Sequence, residues 1–272
     1  MKKEKIRNII KSGVKYTDQN QAICFLPPRV IGSQKGSAGN SLLGKIQNVL
    51  KHYGKIYYAL LYWFAPVLSS YANRNRLKKL LASYGKEDII LNLGSGPAHL
   101  YGRKDIINID IFAFDEVDIV ADAADLQIKD ESVDCIINVA MLEHVHHPKR
   151  IVKEMRRILR EGGEIFCYLP FMQPFHAAPD DFRRWTISGT RELFSEFKEV
   201  EVFIGAGPTS GFLWVFQEWL SILLSFGSKT LHDILFLAIM LLTWPIKFLD
   251  IFMVKLPYAE NIASGFCVVA RK

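Results

Sequence analysis

The chain has 272 residues, half of them hydrophobic and 23% charged, with a formal net charge of +6. That composition excludes a disordered chain, and the length suits one large domain or a domain with appendages. Cys24, Cys135, Cys167 and Cys267 lie far apart with no C-x-x-C pair, which argues against a disulfide framework or a zinc ribbon and, with the polar start MKKEKIRNIIKSG, points to the cytosol.

Charge is uneven. Residues 1–87 carry 16 Lys+Arg against 3 Asp+Glu, whereas 88–272 carry 18 against 25. A basic block of this kind favours an anionic partner, either nucleic-acid phosphates or the headgroups of an acidic membrane leaflet. The pattern predicts a basic, helical N-terminal region over 1–87, containing a loop at 32–41 (GSQKGSAGNS) and helical spacing from Leu42 to Leu68, and a second domain over 88–272.

From Asp88 short apolar runs alternate with helical stretches: IILNL, IINIDI, VDIVA, VDCIINVA, a helix over 148–160, and EIFCYLPF. Such alternation predicts an α/β fold, a mostly parallel Rossmann-like sheet with helices on both faces. A helix near 188–197 and strands at 199–204 and 264–270 bring the sheet to seven strands. Residues 205–262 separate those two strands by far more than a hairpin needs, so they read as a hydrophobic helical insert. The apolar runs at 56–68, 212–226 and 234–246 are too short or too interrupted to read as spanning segments. Their Trp and Tyr suit helices buried in the core or lying in a membrane interface.

The sharpest local feature is Leu91-Asn92-Leu93-Gly94-Ser95-Gly96-Pro97, a strand running into a glycine turn, with Asp110 ending the next strand. Glycines at 94 and 96 permit positive φ, and an aspartate there accepts hydrogen bonds from ribose hydroxyls. His99 stands where a dinucleotide fingerprint needs its third glycine, and no G-K-[ST] follows, so NAD and P-loop readings fail.

The run LNLGSGP, NIDI and VDIVADAADLQIKDESVDCIINVAMLEHVHHPKRIVKEMRRILREGGEIFCYLPF resembles the class I S-adenosylmethionine-dependent methyltransferases of the type 11 group over about 80 residues. Beyond that core, PFMQPFHAAPDDFRRWT, GTRELF and ASGFCVVARK resemble a bacterial subgroup associated with cell-surface glycan synthesis. The resemblance implies S-adenosylmethionine as cofactor, with Gly94, Ser95 and Gly96 around its methionine portion and Asp110 on its ribose. It likewise implies Asp122 and Ala123 at the adenine, Asn138 and Val139 at the methionine end, and an antiparallel last strand in the seven-stranded sheet. Asn92 stands where the family has an acidic residue and Ala98 where it has a glycine; Asn92 keeps hydrogen bonding without the charge. The gap to Asp110 leaves little room for a full first helix.

Methyl transfer to a sugar hydroxyl gains from a base, worth roughly 10²–10⁴-fold. The candidates are His144, His176 and Asp181, with Glu143, Arg183 and Arg184 placed to contact the acceptor; the two arginines suit an acidic sugar or a phosphate. His144, His146 and His147 form H-x-H-H without a carboxylate or cysteine at helical spacing, so no metal is assigned. The expected activity is O-methylation of a small-molecule or glycan acceptor at the inner membrane face. An RNA methyltransferase, for which no RNA-binding module stands in the sequence, and a degenerate methyltransferase-fold scaffold are the alternatives. The oligomeric state is left open.

Overall fold

A computed structural model describes residues 2–19, 22–26, 63–96, 100–176 and 180–272. The expected loop at 32–41 and most of the 42–68 helix lie outside these residues, as do Pro97, Ala98 and His99.

Among the described residues the sheet has nine strands rather than seven. In chain order they are β1 (Thr17–Gln19), β2 (Ala22–Cys24), β3 (Ile90–Leu93), β4 (Ile107–Asp110), β5 (Ile119–Val120), β6 (Val133–Val139), β7 (Leu159–Pro170), β8 (Lys198–Ala206) and β9 (Gly265–Arg271). Their spatial order is β1-β2-β5-β4-β3-β6-β7-β9-β8. Strands β2 to β7 pair in parallel, and β9 inserts antiparallel between β7 and β8. The seven expected strands are all present. The additional pair is the β1–β2 hairpin, which lengthens the edge beyond β5. Its strands are three residues each, too short for period-2 alternation to mark them in the sequence.

The parallel strands read as apolar runs because helices cover both faces. Leu91 and Leu93 face a core shared with helix α1 (Lys2–Ile9) through Ile6 and Ile9, and with Ile151, Val152, Met155 and Ile158 of α3 (Pro148–Ile158). Ile90, on the opposite face, packs with Leu77, Leu80 and Leu81 of α2 (Tyr71–Ser83). Ser70 caps α2 by accepting from the Asn73 N–H at 3.1 Å. Helix α2 lies before β3 in the chain, whereas the β3–β4 connection holds only a short 3₁₀ turn at Leu100–Gly102 among its described residues. Among the described residues no crossover helix stands between β3 and β4, in agreement with the short Gly94-to-Asp110 spacing.

Helix α4 (Ile187–Leu193) precedes β8, and the insert follows it. The insert is helical as expected: α5 (Pro208–Leu224), α6 (Lys229–Thr243), a 3₁₀ segment Trp244–Leu249, α7 (Asp250–Met253) and a 3₁₀ turn Ala259–Ile262. Its polarity is inverted on α5 but not on α6, whose buried residues are the apolar Phe236 and Ile239. On α5 the buried side holds Ser210, Gln217 and Ser221, while Phe212, Val215, Trp219, Ile222 and Leu223 are exposed. Gln217 Nε2 donates to Thr243 Oγ1 of α6 at 2.8 Å, and Ser221 Oγ donates to the Gln217 carbonyl at 2.6 Å. On α6 and beyond, Ile234, Leu242, Leu249 and Phe252 are exposed.

The helical run Lys229–Met253 is 25 residues, long and apolar enough by length and composition to cross a membrane, where the sequence showed a 13-residue apolar run. Its C-terminal part is tied into the protein. Lys247 Nζ donates to the Ala65 carbonyl at 2.7 Å, and buried Asp250 accepts from the Thr209 and Ser210 N–H groups and the Ser210 hydroxyl at 2.6–2.9 Å. Asp250 therefore caps the N-terminus of α5 from another element, complementing that end of the helix dipole.

Candidate active site

The carboxyl ends of β3, β4, β5 and β6 lie side by side, and the crevice beyond them is where open α/β sheets take ligands. The glycine turn after β3 adopts the conformation the sequence implied, with φ of +68° at Gly94 and +57° at Gly96. It is fastened to β4: the Gly94 and Ser95 N–H groups donate to the Ile109 carbonyl, and the Gly96 N–H donates to Asp110 Oδ2 at 2.8 Å. The two glycines do different work. A Cβ on Gly94 would lie 2.5 Å from Met141 Cγ, so this residue's missing side chain admits Met141 of the β6 turn. A Cβ on Gly96 would meet nothing within 4 Å, leaving its backbone open to a ligand.

Asp110 is nearly buried and accepts from the Gly96 and Phe112 N–H groups, which leaves lone pairs for further donors. Asp122 lies just beyond β5, adjacent to β4, exposed, with Oδ1 accepting from the Ala124 N–H at 2.8 Å; half-buried Ala123 packs on the core. Both aspartates thus follow the carboxyl ends of neighbouring strands. Asn138 is fully buried and donates from Nδ2 to the Leu93 carbonyl, while its Oδ1 has no hydrogen-bond partner. An orphaned acceptor of that kind calls for a donor, and the ammonium of a bound amino-acid moiety is one. Val139 is partly exposed at the same strand end. The following residue, Ala140, holds φ +52°, a strained value for a residue with a Cβ.

Asn92, expected among the cofactor-binding residues, makes a hydrogen bond across the strands. Its Nδ2 donates to Asn108 Oδ1 at 3.1 Å across β3–β4, and it is buried on the α2 side of the sheet. It serves as a cross-strand pair, because alternation along β3 turns residue 92 to the same face as Ile90.

Burial pushes the Asp110 carboxyl above its ordinary value, and the N–H groups of Phe112, Gly96 and Ile111 oppose that rise without cancelling it. A ligand that places hydroxyls on the ionised form favours that form, so binding and deprotonation are linked. Affinity for S-adenosylmethionine is expected to strengthen as pH rises through the elevated Asp110 value and to weaken below it, with Asp110→Asn flattening that limb in calorimetric titrations. In the ligand-free fold the sign reverses: the raised carboxyl contributes stability at low pH that is lost as pH climbs through its folded value.

After β6 a 3₁₀ turn, Leu142–His144, presents Glu143 and His144, and the loop after β7 brings His176 against them. Glu143 is fully buried. The Nε2 atoms of His144 and His176 stand 3.7 and 3.8 Å from Glu143 Oε1. Burial disfavours charge on His176, but Glu143 and the Pro174 carbonyl outweigh it and hold its pKa above the usual imidazole value. Three of the expected catalytic and acceptor-binding residues are thereby gathered into one cluster.

The other three are committed elsewhere. Asp181 is paired with Arg184 at 2.5 Å and accepts from the His176 N–H at 2.8 Å. Burial alone would raise its pKa, yet Arg184 and that N–H hold it at about 2, which removes it as a base. Arg184 also donates to the Gln173 and Pro174 carbonyls, and Arg183 donates to those of Val145 and His146. Both arginines anchor the loop to the strand end instead of presenting free forks to an acceptor.

Trp214 of α5 was not singled out in the sequence. Its ring lies against His176, with centroids 5.3 Å apart. The 38 positions that separate them hide the contact, and the surrounding FLWVFQEW reads only as apolar sequence.

Residues 99–167 match the family profile described as a methyltransferase domain. Among solved structures, phosphoethanolamine N-methyltransferase 2 of Haemonchus contortus, in complex with phosphomonomethylethanolamine and S-adenosylhomocysteine, is 14% identical. That likeness covers 83% of this chain and 59% of that one, with a TM-score of 0.45, so the chain spans 59% of that protein's length. The cyclase SpnF is 18% identical, with coverage of 83% and 96% and a TM-score of 0.47. An S-adenosylmethionine-dependent methyltransferase of Thermotoga maritima is 14% identical, with coverage of 83% and 99% and a TM-score of 0.46. No curated protein matches the chain. The matched segment is similar to a methyltransferase domain and lies on the Rossmann-like sheet, and proteins of that class take S-adenosylmethionine as donor.

Proposed function

We propose that this protein methylates a hydroxyl of a sugar or lipid-linked glycan intermediate at the cytoplasmic face of a membrane. The observation that carries the reading is the junction between the Glu143–His144–His176 cluster and the hairpin of inside-out α5 and apolar-faced α6, made where Trp214 lies on His176. Helices with polar groups turned inward and apolar groups outward are suited to an apolar solvent, as in bilayers. Because Lys247 and Asp250 fasten the end of the long run to the protein, the hairpin is read as lying in the interface rather than crossing it. The excess of Lys and Arg in residues 1–87 adds attraction to anionic headgroups.

When bound, S-adenosylmethionine supplies an electrophilic methyl group on a sulfonium. Gly96 would give it backbone access, Asp110 would accept its ribose hydroxyls, Asp122 would face its adenine, and Asn138 Oδ1 would accept from its ammonium. The protein's own contribution is alignment and the exclusion of water. The Glu143–His144–His176 cluster is where the acceptor hydroxyl's proton is lost, since imidazole and carboxylate are the groups available there.

The test is mass spectrometry of lipid-linked glycans and surface glycans from cells with and without the gene. The expected result is a species one methylene heavier in cells that have it, with the lighter precursor accumulating in cells that lack it. Identical spectra, together with methyl transfer from labelled donor into RNA, would overturn the reading.

A further inference from the structure

We propose that Glu143, His144 and His176 form a binding site for a divalent transition-metal ion. The carboxylate and the two imidazoles each offer one ligand atom, and the three atoms lie within 4.8 Å of one another. A tetrahedral ion at about 2.1 Å from its ligands holds them about 3.4 Å apart. The observed Glu143-to-histidine separations of 3.7 and 3.8 Å therefore close on an ion by a few tenths of an ångström.

Hydrogen bonding fixes which ring atoms face inward. His144 Nδ1 lies 2.6 Å from the Asp180 carbonyl and His176 Nδ1 lies 2.9 Å from the Pro174 carbonyl. A carbonyl only accepts, so His144 Nδ1 carries the hydrogen and its neutral ring turns a bare Nε2 lone pair toward Glu143, whereas His176 Nδ1 also lies 3.2 Å from the donor Arg184 Nη2. Glu143 Oε1 and His144 Nε2 then converge as acceptors, and neither oxygen of the fully buried Glu143 has a hydrogen-bond partner. A cation on the three atoms resolves that conflict. Donation of the far ring N–H to a backbone carbonyl is also the arrangement that orients metal-binding histidines.

The supporting shell is built. Arg184 holds the Pro174 carbonyl and Asp181, Asp181 holds the His176 N–H, and the Phe182 N–H donates to the Glu143 carbonyl at 2.8 Å. Two nitrogens and one oxygen favour Mn²⁺, Fe²⁺, Co²⁺ or Zn²⁺ over Mg²⁺ or Ca²⁺, which prefer all-oxygen sites. Three protein ligands leave coordination positions open, and the partial exposure of both histidine side chains turns them outward. Hydroxyl oxygen bound there would become more acidic and release its proton to solvent. That catalytic consequence rests on the methyl-transfer reading, whereas the binding of the ion does not. The sequence concealed the site because His176 is 33 positions from Glu143.

The test is titration of chelator-stripped protein with Co²⁺, following the visible d–d absorption and calorimetric heat without donor or acceptor. One equivalent is expected to bind. Glu143→Gln and His176→Asn should each weaken binding at least 100-fold, and His146→Ala and His147→Ala should leave it unchanged. Binding of S-adenosylmethionine, measured on the same variants, should persist and thereby show that they fold. No Co²⁺ binding in a protein that binds S-adenosylmethionine, or equal affinity in wild type and in Glu143→Gln and His176→Asn, would overturn the site while leaving the methyltransferase reading intact.

Discussion

Gly94→Ala is expected to weaken binding of S-adenosylmethionine at least 100-fold, about 2.7 kcal/mol, from an affinity on the order of micromolar. Two costs combine at this position. A side chain at φ +68° forfeits roughly 1–2 kcal/mol, and the new Cβ would stand 2.5 Å from Met141 Cγ and 2.7 Å from Met141 Cβ. Relief requires the turn to swing away from β6, which breaks its bonds to the Ile109 carbonyl and to Asp110. Met141→Ala in the same chain removes the Cγ contact but keeps the Cβ contact, so it should recover only part of the affinity. Gly96→Ala sets the contrast: at φ +57° it carries the same backbone strain, but its Cβ meets open space, so the protein should lose less thermal stability than Gly94→Ala while losing donor binding. Calorimetry with S-adenosylhomocysteine and thermal unfolding on all four proteins check the set; full affinity in Gly94→Ala would refute the geometry assigned to the turn.

The second large effect concerns the hairpin. Trp219, Ile222 and Phe226 follow helical spacing along α5 and the turn after it, and they are 56%, 60% and 90% exposed. Full burial of such side chains is worth about 1.5–3 kcal/mol each, so replacing all three with Asp should reduce partitioning onto vesicles about 100-fold or more. Vesicles containing phosphatidylserine should bind the wild type more strongly than neutral ones, with the difference shrinking in high salt. Sedimentation with vesicles measures both, and the variant should keep its affinity for S-adenosylmethionine because the altered face lies away from the glycine turn's contacts. Equal sedimentation of wild type and variant would remove the membrane from the account.

The sequence and the structure agree where a local rule sufficed. Apolar runs separated by helical spacing were enough for β3 to β7, and Gly94 and Gly96 were legible because their backbone conformation depends on residue type. The β1–β2 hairpin escaped because three-residue strands carry no period. Motif position does not reveal which face of the sheet Asn92 meets; its pairing with Asn108 across two strands does. Asp181, Arg183 and Arg184 have acid–base and anion-binding side chains, but folding spends them on carbonyls and on one another. The inside-out polarity of α5 also needed coordinates. Its composition shows an apolar helix, whereas the partnership of Gln217 with Thr243 shows which side is turned inward.

The most direct measurement of the central claim is a crystal structure of the full chain with S-adenosylhomocysteine. The account predicts adenosine lying across the Gly94–Gly96 turn with its ribose hydroxyls on Asp110, its ammonium near Asn138 Oδ1 and its sulfur on the side of His144 and His176. Ligand bound away from the carboxyl ends of β3 and β4, or its sulfur turned away from that cluster, would contradict it.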